Sequence, residues 1–134
     1  ISTFAIAAHV TADDFITLHL VTGTAAVRAV SAWLDDQVAA RLAAATVPVM
    51  AVAYAAVGAP RLLDAPALDA IRSGPLPGRG RIVELATADH DPHVIKLADV
   101  ALAEEARTGD LLYRFAAARV VDLVPAAREL VGSR

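Results

Sequence analysis

The chain has 134 residues, 57% of them hydrophobic and 20% charged, with a formal net charge of −3. That is one domain's length and too apolar for intrinsic disorder, because burial can offset the ordering entropy. With no Cys, 7 Gly and 7 Pro, it has no thiol nucleophile, thiolate zinc site, disulfide scaffold or collagen repeat, and its charge forms no basic stripe for nucleic acid. Residues 3–10 (TFAIAAHV) are uncharged and do not alternate, which reads as a strand buried on both faces. Thr11 and Asp14 mark a helix start. The next short helix carries Phe15, Leu18 and His19 inward. A longer helix over 25–45 has Val27, Val30, Leu34, Val38 and Leu42 on one face, with Trp33 or Leu34 on its buried side. Trp33, Phe4, Phe15 and Phe115 are the expected core anchors.

Residues 42–60 carry no charge and would be long enough to span a membrane. Their alanines, Pro48 and few strongly apolar side chains argue against a span. They read instead as a helix end, a second buried strand at Val47–Val52 and a short Ala-rich helix. The N-terminal stretch lacks the Lys/Arg-led pattern of a signal peptide, so a cytoplasmic chain is expected. Asp64 opens a short helix to Arg72, and residues 73–80 (SGPLPGRG) form a loop. Arg81–Ala86 reads as a third strand. Asp91 and Pro92 start a helix that Gly109 stops. Residues 111–124 fit a strand pair or a single helix, and a short helix follows from Pro125. Strands separated by helices imply an α/β fold, a parallel-sheet three-layer sandwich over one domain, 1–134. An all-α bundle is the alternative, because Ala favours helix almost everywhere.

In a parallel sheet, sites form at the carboxyl ends of strands. This reading places Asp13, Asp14, Asp89 and Asp91 there, with Asp99 two turns into the following helix. Converging carboxylates would hold Mg²⁺ or Mn²⁺, hard ions that prefer oxygen. Each acid also has a structural explanation: Asp14 and Asp91 as helix starts, Asp99 as a partner of Lys96. Asp89, His90, Asp91 and His93 form the densest polar cluster, suited to Zn²⁺ or, equally, to a solvated loop. His9 and His19 read as hydrogen-bonded core residues. No dinucleotide, phosphate-loop, nucleophile-elbow or HExxH motif is present.

Several stretches together resemble a PIN-like domain, the fold of many toxin ribonucleases. TFAIAAHVTADDFITLHL is similar to its first strand and helix. TVPVMAVAYAAV is similar to its VPxxxxAE segment, and VIKLADVALAEEARTG to its LADAxxLAxAxxxG segment. DLLYR and RVVDLVPAARELV are similar to its closing strands and tail. The resemblance implies four acids around Mg²⁺ or Mn²⁺. The first falls at or beside Asp13 and the third on Asp99, or on Asp110 in a second register. The second falls at Ala55 or Ala56 and the fourth at Phe115, which supply no oxygen. The resemblance therefore implies a lapsed or weakened ribonuclease site, with Asp13 and Asp99 as catalytic residues and Asp13, Asp14, Asp99 and Asp110 as metal ligands. A homodimer or another protein partner is expected, RNA is a candidate substrate, and no membrane is implied. The alternatives are an active Mg/Mn-dependent ribonuclease and a metallohydrolase built on Asp89–His93.

Overall fold

The computed structural model describes residues 1–132, which form eight helices; among the described residues there is no strand. The fold is all-α, the alternative above, and the parallel-sheet sandwich is corrected. The physical reason lies in α1 (Ser2–Ala12), where every side chain from Ala5 to Thr11 is buried. A strand covered on both faces and a helix covered all round both lack a polar face, so neither shows a period in sequence. Helix α1 ends at Asp13, whose φ of 50° is left-handed and whose N–H bonds the His9 carbonyl at 2.8 Å.

Asp14 then caps α2 (Phe15–Ser31), accepting the Ile16 N–H at 2.7 Å. The helix expected over 25–45 is interrupted at residues 32–35. There Asp35 accepts the Val38 N–H at 2.9 Å and opens α3 (Asp36–Ala56). Asp35, inside the span expected to be one helix, is instead a second helix start. Trp33 consequently sits in the turn at 90% exposure and Leu34 at 36%, so the burial expected of that pair is corrected.

Val47–Val52 is helical rather than a strand, and α3 continues through Pro48. Proline cannot donate to the carbonyl of Ala44, but both residues are exposed and water can take the freed acceptor. Helix α3 is long and apolar enough to cross a membrane by length and composition, and it is almost wholly unburied.

Helix α4 (Ala65–Ser73) is capped by Asp64, which takes the Ala67 N–H at 3.0 Å. The third expected strand lies in α5 (Arg79–Ala88), whose buried residues Ile82 and Ala86 are one helical turn apart. Asp91 and Pro92 start α6 (Pro92–Thr108), and Gly109 ends it at φ 73°, as the residue pattern implies. Residues 111–120 form a single helix, α7 (Leu111–Val120), followed by α8 (Ala127–Gly132).

Helices α1, α6 and α7 frame the main core, where Ile6, Ile82, Leu97 and Leu112 are fully buried. A smaller cluster joins Ala5, Ala8, Leu20 and Met50, flanked by an edge-on Phe4–Tyr54 pair. The adjacent buried carboxylates of Glu104 and Glu105 tie the helices together. Glu104 is paired with Arg28 and with Arg107 at 2.7 Å. Glu105 is paired with Arg114 and, at 3.4 Å, with Arg79. Burial pushes the Glu104 carboxyl up, and its two guanidiniums more than reverse this, leaving it below its ordinary range.

Candidate histidine site

Three imidazoles lie around the start of α2: His9 at the end of α1, His19 on α2 itself and His93 on the first turn of α6. His9 is buried on α1, and its Nδ1 lies 3.2 Å from Thr17 Oγ1. The Thr17 hydroxyl already donates to the Asp14 carbonyl at 2.8 Å. Its oxygen can therefore only accept from His9, so Nδ1 carries the proton and Nε2 keeps a lone pair. Burial lowers the His9 pKa to about 4, although the nearby Asp13 and Asp14 raise it. The ring is neutral at pH 7. It lines a cavity of about 130 Å³ with Asp13, Asp14, Phe15, Leu18 and Val120.

Phe15, 56% exposed, separates that cavity from an exposed ring cluster. Its centroid lies 4.7 Å from His19 and 4.7 Å from His93, both edge-on, and the two imidazoles are 5.7 Å apart. His19 Nδ1 is 2.9 Å from the Phe15 carbonyl, which can only accept. His93 Nδ1 is 2.9 Å from Asp91 Oδ1, also an acceptor. In the neutral form each ring is thus fixed with the proton on Nδ1 and the lone pair on Nε2. Asp91 additionally takes the His93 N–H at 2.8 Å. That bond, with the ring contact, holds its carboxyl below the ordinary range.

The acids singled out from the sequence fall in three places. Asp13 and Asp14 line the His9 cavity. Asp13 is also paired with Arg119 at 2.9 Å, while Asp14 caps α2. Asp99 lies in a groove between α5 and α6, and its expected pairing with Lys96 is not formed. Asp110 caps α7 and pairs with Arg72 at 3.0 Å; burial raises its carboxyl, and Arg72 and the Leu112 N–H bring it below the ordinary range. Among the described residues, no three His, Cys, Asp or Glu side chains converge on one point.

Sequence reasoning found Asp91 and His93 as neighbours but placed His19 and Phe15 in the core. The available signal was that both histidines follow a capping Asp within about a turn of a helix start. What the sequence did not contain was that the two helix starts meet.

Together these features define an all-helical domain whose densest chemistry is a set of tautomer-fixed imidazoles. A Questin oxidase-like family model matches residues 2–100, and the chain belongs to that family. No curated protein and no solved structure matches it. The family assignment and the strand-free fold overturn the PIN-like resemblance, and the ribonuclease readings, lapsed or active, fall with it. The metallohydrolase alternative on Asp89–His93 is replaced as well, because the family is oxidase-like.

Proposed function

We propose that this chain serves oxidase-type chemistry, with His19 and His93 holding a first-row transition-metal ion. The observation carrying this reading is the pair of fixed imidazoles from two different helices, each with a free Nε2 lone pair. Metal-bound histidines are commonly held in this way, by a carbonyl or carboxylate on the second ring nitrogen. Imidazole suits iron, copper, nickel and zinc better than magnesium. The family name supports an oxidation. An oxidation moves electrons that the side chains of a Cys-free chain are poorly suited to carry; a bound metal would supply that capacity. Asp91 would hold the His93 ring in register and the Phe15 carbonyl would hold His19. The Phe15 ring would shield one side from water. Two imidazoles leave the remaining metal positions to water and substrate.

A second reading keeps Mg²⁺ or Mn²⁺ on Asp13 and Asp14, supported by their shared cavity with His9. The Arg119 pairing and the capping role of Asp14 weigh against it. In either case the chain is read as a cytoplasmic protein. The inner face of α3, including Met50, is already committed to α1 and α2, which favours water rather than lipid around the rest.

Calorimetric and visible-absorption titration with Co²⁺ tests the proposal. Saturable binding is expected in the native chain, lost in His19→Ala and His93→Ala and retained in His90→Ala. Binding that survives the double variant His19→Ala/His93→Ala, or no binding at all, overturns it. Mn²⁺ binding lost only in Asp13→Asn would move the site to the carboxylates.

A further inference from the structure

A second concavity lies away from the imidazoles, between α5 and α6. Helices α5 and α6 line a groove of about 580 Å³, a volume within the range of small-molecule sites. Its floor is Ala86, Ala98 and Leu102, all buried, and its rims are the half-exposed Val83 and Ile95. The lining has no aromatic ring. It follows α6 from Pro92 to Ala103, about 17 Å at the helical rise.

Charge distinguishes the two ends. Lys96 and Asp99, one turn apart on the rim, form no ion pair but carry opposite charges that sum to zero. At the far end, four guanidiniums, Arg28, Arg79, Arg107 and Arg114, share only the two carboxylates of Glu104 and Glu105. Arg79 is the member that reaches into the groove. It is fixed there by a 2.8 Å bond to the Leu102 carbonyl, with only the 3.4 Å contact to Glu105. An aliphatic trough therefore ends at a half-exposed, positioned guanidinium in a locally positive network.

We infer that the α5–α6 groove binds an aliphatic monocarboxylate, its head on Arg79 and its chain between Val83 and Ile95. The carboxylate supplies the anion that the network lacks, in the planar form a guanidinium recognises best. The chain covers apolar rims that otherwise face water. The inference goes beyond the metal reading, and none of its residues belongs to the imidazole cluster.

Titration with dodecanoate, followed by calorimetry, tests it, with each variant's fold checked by circular dichroism. One saturable site is expected. Acetate should not bind, and dodecyltrimethylammonium should bind about tenfold more weakly or worse. Arg79→Gln should weaken dodecanoate roughly three- to tenfold; Glu105 keeps Arg114, so the fold should hold. Val83→Glu should abolish binding by placing a carboxylate in the chain's path. Val52→Glu, on the exposed face of α3, should change nothing. Absent dodecanoate binding, equal binding of the cationic amphiphile, or sensitivity to Val52→Glu in place of Val83→Glu overturns the inference.

Discussion

Helix α1 buries every side chain from Ala5 to Thr11, whereas α3, at 21 residues and equally rich in alanine and small apolar side chains, buries only Met50. Their difference is one of neighbours. Helix α1 is enclosed by α2, α7 and α8, while α3 packs mainly along α2. Apolar composition determines what a segment tolerates; the helices that surround it determine what it buries. The same distinction separates the two kinds of polar group in the fold. His9 is enclosed, with the Thr17 hydroxyl and the Asp14 backbone as partners, while His19 and His93 stand at helix starts with one nitrogen free.

The comparison is broken most directly by truncating one side chain in each helix. Ile6 is fully buried and Val52 is 71% exposed. Ile6→Ala should cost ~2–5 kcal/mol, the range for core truncations that leave a cavity. Val52→Ala should change stability by no more than ~0.5 kcal/mol. Urea denaturation of the two variants measures both. Similar losses would mean that α3 is as enclosed as α1.

A pH series sharpens the comparison at the polar groups. The His9 pKa is about 4 in the folded chain against the ordinary histidine value of 6.5, so the unfolded state takes up the proton first. The stability linked to this ring is complete above pH 6.5 and is lost as pH falls toward 4. The full difference is ~3 kcal/mol. Carboxylates contribute their own acid loss, so the test is differential. Relative to the native chain, His9→Gln should show a shallower decline in unfolding midpoint between pH 6.5 and 4. Parallel curves would mean that the ring is solvated.

Local punctuation was legible in the sequence. Asp64, the Asp91–Pro92 pair and Gly109 bound helices where their chemistry says they should, because a cap is a bond between near neighbours. The wrong fold class arose where local chemistry is silent. TFAIAAHV has no polar face from which to read a period, and Ala-rich 42–60 has too few strongly apolar side chains to mark one. The break at Asp35 is hidden in the sequence because a capping carboxylate and a solvated one look alike when the turn before it is not yet known. The candidate site was half legible. Asp91 and His93 are adjacent in the chain, so their pairing could be anticipated. The approach of Phe15 and His19 depends on α2 packing against α6, which no short-range pattern encodes.

The smallest expected effect concerns Trp33, placed in the core from sequence and 90% exposed in the α2–α3 turn. Removing a side chain that buries so little forfeits almost no transfer free energy. Trp33→Ala should therefore shift stability by less than ~0.5 kcal/mol. The residue is nonetheless informative, because it is the chain's single tryptophan and it lies at the N-terminal end of the exposed α3. In dilute native protein its emission should be nearly as red as in urea, since water already surrounds the ring. A concentration series then addresses the expected homodimer. If a second copy covers the turn and the outer face of α3, the emission should move to the blue as concentration rises. Val49→Asp, which puts a charge on that face at a position 66% exposed, should abolish the shift while leaving the urea midpoint in place. A spectrum that stays red at every concentration would leave this end of α3 uncovered by a second copy. A blue spectrum even at high dilution would mean that Trp33 is enclosed, and the contrast between α1 and α3 would fail at its most exposed point.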